Sequence, residues 1–224
     1  VTGRFTADDG NEYYFLPNGV QMRDAIVEDA NGNHYYYGRT GILYKGENWY
    51  PFVDPTNPNM TVYRYFDANN VMATGYVNMY GDTYYFDDNG FQAKGKLISD
   101  STGTHYFSEE NGSMVKNKFV SVNGNWYYMN ADGNAAKGQS IVNNQILYFD
   151  PTTGVQLKGN FVTNSDGLTS YYDENSGILK SNTFFTTGDN NWYYADANGY
   201  VAKGFKEIDG NWYYFDQATG HGFL

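Results

Sequence analysis

GNWYYMNADGNAAKG (Gly124–Gly138) decides how this chain reads. Asn-Gly-Asn turns the chain, Trp126–Met129 is a short aromatic strand, and Asn130–Gly133 is a second turn. Aromatic runs of about four residues between Gly, Asn and Asp clusters are the signature of β-hairpins. Asn134–Lys137 is expected to be the returning strand. The motif recurs as GDTYYFDDNGFQAKG from Gly81, NNWYYADANGYVAKG from Asn190 and GNWYYFDQATG from Gly210. Weaker copies start at Asn11, Thr104 and Thr169.

Working outward, the second tyrosine of the motif becomes a ruler. Tyr14, Tyr36, Tyr65, Tyr85, Tyr106, Tyr128, Tyr148, Tyr171, Tyr194 and Tyr214 follow one another at 20–23 residues, with one gap of 29. A fixed period of this length marks a repeat architecture whose units bury their apolar faces only against neighbours. The expected fold is all-β: a β-solenoid-like stack of about ten short hairpins over residues 1–224, with essentially no helix. No segment sustains a 3.6-residue apolar period. Connectors such as Lys203–Asp209 are too short and mixed for a helix and are expected to join hairpins. The long gap contains Pro51, Pro55 and Pro58, so an irregular inserted loop is expected over 46–61, as hinge or cap. Both ends fall inside the pattern, which points to a piece of a larger protein.

The residue after the ruler Tyr is nearly always apolar (Phe15, Phe66, Phe86, Met129, Phe149), and the one before it varies (Tyr13, Arg64, His105, Leu147, Ser170). Constancy across copies suggests scaffold, and variation suggests local use or exposure.

Composition narrows the partners. With 24 Tyr and 4 Trp, aromatic rings supply the buried area that aliphatic residues usually give. A net charge of −11 argues against nucleic acid and anionic membranes. No cysteine is present, which removes disulfides, thiol catalysis and cysteine-based metal sites. No apolar run approaches a membrane span, so no membrane insertion is expected. Most acids, including Asp67, Asp87, Asp132, Asp196 and Asp216, fall in turns, where Asp caps backbone donors. His34, His105 and His221 lack ligand spacing. No catalytic residue, metal or other cofactor is implied.

Three units place Gln and a base two residues apart: Gln21 with Arg23, Gln92 with Lys94, and Gln156 with Lys158. On a strand both point to one side, beside the hairpin's own aromatic, Tyr85 or Tyr148. An amide, an ammonium and an aromatic face together suit a sugar ring, which stacks by its C–H face and needs mixed donors and acceptors. If the pocket instead straddles neighbouring units, Tyr106 and Lys116 would complete the Gln92 site, and Tyr171 and Lys180 the Gln156 site. The sequence leaves both geometries open.

The quoted units resemble the cell-wall-binding or glucan-binding repeats of lactic-acid bacteria, in particular the glucan-binding domain of glucansucrases, which build dextran-like polymers from sucrose. That resemblance implies sugar pockets built from a Tyr, a Gln and a Lys, which the Gln92 and Gln156 units match. It also implies a non-catalytic, secreted or cell-surface module whose partner is α-glucan. A monomer is expected. Units with Ala135, Leu179 or Val201 in place of Gln are scaffold on this reading. Choline-binding modules and clostridial toxin repeats share the hairpin pattern, but choline-binding modules usually carry Trp in most units. Here Trp stands two before the ruler Tyr only at Trp126, Trp192 and Trp212.

Overall fold

The computed structural model describes residues 1–223, and among them no helix occurs. Twenty strands form ten separate two-stranded ribbons. In chain order these are β1 (Gly3–Thr6) with β2 (Glu12–Phe15), and β3 (Ala25–Glu28) with β4 (His34–Tyr37). Next come β5 (Asn48–Asp54) with β6 (Asn57–Phe66), β7 (Gly75–Met79) with β8 (Asp82–Phe86), and β9 (Lys96–Asp100) with β10 (Gly103–Phe107). Then follow β11 (Lys118–Val122) with β12 (Asn125–Met129), β13 (Gly138–Val142) with β14 (Gln145–Phe149), and β15 (Asn160–Thr163) with β16 (Thr169–Tyr172). The last two are β17 (Thr183–Thr186) with β18 (Trp192–Ala195), and β19 (Gly204–Ile208) with β20 (Asn211–Phe215). The chain divides into two compact units, Val1–Ile98 with His105–Val115, and Ser99–Thr104 with Lys116–Leu224, so that β9 and β10 each contribute residues to both.

The hairpins are real but one strand out of phase with the sequence reading. β12 pairs with β11, the strand before it, and Asn134–Lys137 contributes a single bridge, Met129 to Ala135. Likewise Gly204–Ile208, expected as a connector, is a full strand. The reason is turn geometry. Asn123 and Gly124 both have positive φ (51° and 81°), which gives a two-residue turn whose twist matches the flanking strands. The later turn, Asn130–Gly133, is wider and caps itself, because the Asn130 side chain accepts from the Asp132 and Asn134 amides.

One backbone bond joins each hairpin to the one before it. In the first unit the amides of Leu43, Met72, Gln92 and Met114 donate to the carbonyls of Glu12, His34, Tyr63 and Thr83. In the second unit Ala135, Gln156, Leu179, Val201 and Gly222 donate to Thr104, Trp126, Ile146, Thr169 and Trp192. Every acceptor lies two residues before a ruler Tyr. The bridge residue therefore sits against that position of the preceding hairpin throughout the array.

The core follows the residue after the ruler Tyr. Tyr37, Phe66, Phe86 and Phe107 are fully buried in the first unit, as are Met129, Phe149, Ala195 and Phe215 in the second. Burying each large side chain contributes about 1.5–3 kcal/mol. The varying position before the Tyr is also buried, at Tyr35, Arg64, Tyr84, His105, Tyr127, Leu147, Ser170 and Tyr193. Its variation therefore reflects different fillings of the core, because residues two apart on a strand share a face. The ruler Tyr lies on the other face and ranges from buried (Tyr36, Tyr65, Tyr171) to 38% exposed at Tyr214.

The irregular loop expected over 46–61 is instead the longest ribbon. β5 and β6 pair from Asn48–Phe66 to Asp54–Asn57. Pro51 is tolerated opposite Tyr63 because both strands of an isolated ribbon are edges, where a missing N–H costs no ladder bond. Pro55 occupies the tip, where the Asp54 carboxylate accepts from the Thr56 amide and hydroxyl, both at 2.8 Å. The tip is pinned by an ion pair between buried Asp54 and Lys96 at 2.9 Å.

Candidate functional site

Two of the three Gln–base pairs line open clefts. In the first unit Gln92 and Lys94 meet Trp49, Tyr63, Tyr80 and Tyr84, with Glu110 and Asn111 on the far rim, around about 340 Å³. In the second unit Gln156 and Lys158 meet Asn125, Trp126 and Asn160 around about 280 Å³. Both volumes lie near the lower end for small-ligand pockets. The Gln21–Arg23 pair is spent internally, since Arg23 Nε donates to Gln21 Oε1 at 2.6 Å.

The hairpin before supplies Trp49 and Tyr63 to the Gln92 cleft and Trp126 to the Gln156 cleft, and in the Gln92 cleft Tyr80 and Tyr84 of the Gln's own hairpin join them. The Gln92 and Gln156 amides donate to the carbonyls of Tyr63 and Trp126 (2.9 and 2.8 Å), which places those side chains beside the glutamines. The expected aromatics are used elsewhere. Tyr85 packs on Tyr76 and Phe107, Tyr148 on Tyr172, and buried Tyr171 stacks on Phe185 at 4.9 Å. Tyr106 is half-buried, and burial pushes its phenol up. Lys180 is committed to Asp173 at 2.8 Å. Lys116 is exposed in the second unit, whereas the Gln92 cleft belongs to the first. Four of the ten anticipated residues, Gln92, Lys94, Gln156 and Lys158, therefore meet in clefts.

The signal for the missing aromatics was present. Position two before the ruler Tyr carries Tyr63 and Trp126 beside the two glutamines, Glu12, His34 and Thr83 in other hairpins, and Trp192 and Trp212 in the last two. Tyr80 was also visible, because it replaces Asn in the Tyr80-Gly81 turn. It has φ 55°, an unusual conformation for a bulky residue, and is 77% exposed at the mouth of the Gln92 cleft.

Inside the first cleft the polar groups are prearranged. Gln92 is 3% exposed, its Nε2 donates to the Asn111 carbonyl at 2.9 Å, and its Oε1 has no hydrogen-bond partner. Lys94 Nζ is steadied by the Thr61 carbonyl at 3.2 Å. Lys158 Nζ is held in the same manner by the Asn175 carbonyl at 3.0 Å. The arrangement combines a buried, unpartnered amide oxygen with an ammonium and flat aromatic faces, with one Lys and one Glu leaving little net charge in the first cleft. These groups have the mixed donors, acceptors and flat faces that an uncharged polyhydroxylated ring requires.

The acids remain with their turns. Asp87 Oδ1 accepts from the Asn89 and Phe91 amides (2.9 and 2.8 Å), and Asp196 does the same for Asn198 and Tyr200. Among the described residues no group of three His, Cys, Asp or Glu could hold a metal ion. Among the described residues no helix is long and apolar enough to cross a membrane.

A stack of self-similar hairpins with polar residues and aromatic faces meeting in shallow clefts has the form of a binding repeat array. Comparison with known families agrees. Residues 1–50, 73–119, 120–154 and 139–184 match the Choline-binding repeat, and 182–201 and 203–218 match the Putative cell wall binding repeat. The chain belongs to this choline-binding and cell-wall-binding repeat family and is a non-catalytic binding module. Among curated proteins, Glucosyltransferase-I of Streptococcus mutans is 40% identical over 202 residues, 89% of this chain and 13% of that protein. Glucosyltransferase-S of the same species is 40% identical over 206 residues, 73% of this chain and 14% of that protein. The chain thus spans only a small part of the length of these relatives. Among solved structures, CbpJ from Streptococcus pneumoniae covers the whole chain with TM-score 0.74 at 20% identity, over 88% of its own length. Choline binding protein F from the same organism covers it with TM-score 0.70 at 21% identity, over 87% of its length. At these identities the two structures speak for the fold.

Proposed function

We propose that this chain holds α-glucan through the Gln92 and Gln156 clefts and keeps polymer close to a glucosyltransferase of which it forms a part. The carrying observation is the Gln92 cleft, where a buried amide with an unpartnered Oε1, a tethered ammonium and aromatic faces converge. The 40% identity to streptococcal glucosyltransferases supports glucan as the polymer. Two weak clefts on one chain gain avidity for a repeating polymer, because the second contact forms at high effective concentration. On this reading the module works as a monomer outside the cell, secreted or at the cell surface.

Native electrophoresis in gels with and without dextran tests the proposal: retardation supports it, and unchanged mobility defeats it. Lys94→Ala with Lys158→Ala should reduce retardation without unfolding the stack, since both ammonium groups hang from carbonyls at cleft rims.

The family description favours a second reading, attachment through choline or wall polymer. Retention on a choline-like amine column with release by free choline would support it. Against it, one aromatic box is already filled. The Arg64 guanidinium lies 4.2, 4.7 and 4.2 Å from the ring centroids of Tyr36, Phe52 and Phe91, where a quaternary ammonium would sit.

A further inference from the structure

The β5–β6 ribbon has aromatic residues on both faces. Trp49 and Tyr63 share one face and wall the Gln92 cleft. Phe52 stands on the other, by the alternation of a strand, and enters a separate cleft of about 360 Å³. There the Tyr44 ring lies nearly parallel to Phe52 at 6.1 Å and meets Tyr36 edge-on at 4.9 Å. The absent side chain of Gly38 makes room for Tyr44, whose Cε1 would lie 2.7 Å from an added Cβ.

The polar groups of this cleft differ from those of the Gln92 site. Asp24 accepts a short hydrogen bond from the Tyr36 hydroxyl, and its amide donates to the Gly38 carbonyl at 2.9 Å. These two bonds fix the carboxylate at the wall. Arg39 and Thr40 are exposed at the rim, and among the described residues no carboxylate forms an ion pair with Arg39. The residues lining the cleft carry one carboxylate and one free guanidinium, so its walls offer both acceptors and donors. An anion would meet Asp24. A cation would meet Arg39, and Arg64 already lies against the rings of Tyr36 and Phe52.

We propose that the cleft of Asp24, Arg39, Tyr44 and Phe52 is a further saccharide subsite, the third of the chain, binding an uncharged pyranose ring on the face of the β5–β6 ribbon opposite the Gln92 cleft. This rests on the glucan reading of the Gln92 cleft and extends it to a repeat whose bridge residue is Leu43, where no Gln marks a site.

The test is an amide chemical-shift titration of the full chain with isomaltotriose. Three groups of shifts are expected, one over residues 36–44, one around Gln92, Lys94 and Asn111, and one around Trp126, Gln156 and Lys158. Arg39→Ala, an exposed change that leaves the core alone, should weaken the first group at least fivefold and leave the other two in place. Shifts confined to the Gln92 and Gln156 groups would overturn the subsite and leave the glucan reading intact. No shifts in any group would overturn both. Shifts over 36–44 produced by choline chloride and not by isomaltotriose would overturn the assignment of a sugar.

Discussion

The side-chain amide of Gln92 donates to the backbone carbonyl of Asn111, 2.9 Å away in the turn of the next hairpin. This bond closes the cleft by joining a bridge residue to the hairpin that follows. It is possible because Gly112, φ 76°, has no side chain: an added Cβ would collide with the Gln92 amide and sit 3.1 Å from the Ala93 carbonyl.

Gly112→Ala should therefore cost more than backbone strain alone. A left-handed conformation costs a non-glycine residue about 1–2 kcal/mol, and overpacking adds roughly 1–3 kcal/mol. Gly10→Ala, with similar φ and open space around it, is the control for strain. Urea unfolding of both variants should show the larger loss at Gly112, and only Gly112→Ala should weaken glucan binding. Equal losses would remove the Gln92–Gly112 contact from the account.

Arg64 is 6% exposed, and besides its three rings its Nε donates to the Asn89 carbonyl at 2.8 Å. Arg64→Ala should destabilise by about 2–4 kcal/mol, from the cavity and the orphaned carbonyl. Arg64→Lys should recover only part, because an ammonium cannot lie flat on rings as a guanidinium does. Denaturant midpoints measure both. If the box excludes choline because Arg64 fills it, Arg64→Ala should also gain affinity for choline.

The Asp54–Lys96 pair is asymmetric, with side-chain exposures of 1% and 34%. Burial alone would raise the Asp54 carboxyl, yet Lys96 and the Thr56 donors hold it below the ordinary carboxylate range. Lys96→Met strands a buried carboxylate and should cost about 3–5 kcal/mol. Asp54→Asn frees a lysine that can reach water, and should cost about 1 kcal/mol. Equal losses in thermal unfolding would contradict the burial of this tip.

Acid should unfold the second unit through Asp173. Lys180, with the Ser176 donors, holds its carboxyl well below the usual carboxylate range. A folded pKa below the unfolded value near 3.9 means the stabilisation is complete above about pH 5 and is lost as pH falls through and below 4. Asp173→Asn should flatten that part of the stability–pH profile and leave neutral-pH unfolding cooperative. An unchanged acid limb would show that the pair carries no linkage.

How much of this was legible follows from period and phase. The 20-residue spacing and the Asn-Gly turns define a stack of hairpins, because both are local properties of the chain. Which of two neighbouring strands pairs with Trp126–Met129 is not local. It depends on positive φ at both Asn123 and Gly124, against a wider, self-capped turn at Asn130–Gly133. The same phase error moved the pocket aromatic from Tyr63 to Tyr85 and from Trp126 to Tyr148. Gln92, Lys94, Gln156 and Lys158 survived it because their spacing of two fixes a shared face in either phase. The prolines of β5 and β6 misled because a two-stranded ribbon accepts them where a wider sheet would not.

The most direct test of the central claim is the calorimetric affinity for isomaltooligosaccharide of the chain against Gln92→Met combined with Gln156→Met. Met72 and Met114 already occupy the same bridge position in other hairpins, so the stack should persist and its melting temperature should fall only slightly. The account predicts at least a tenfold loss of affinity in the double variant. Equal affinity, with the fold intact, would contradict it.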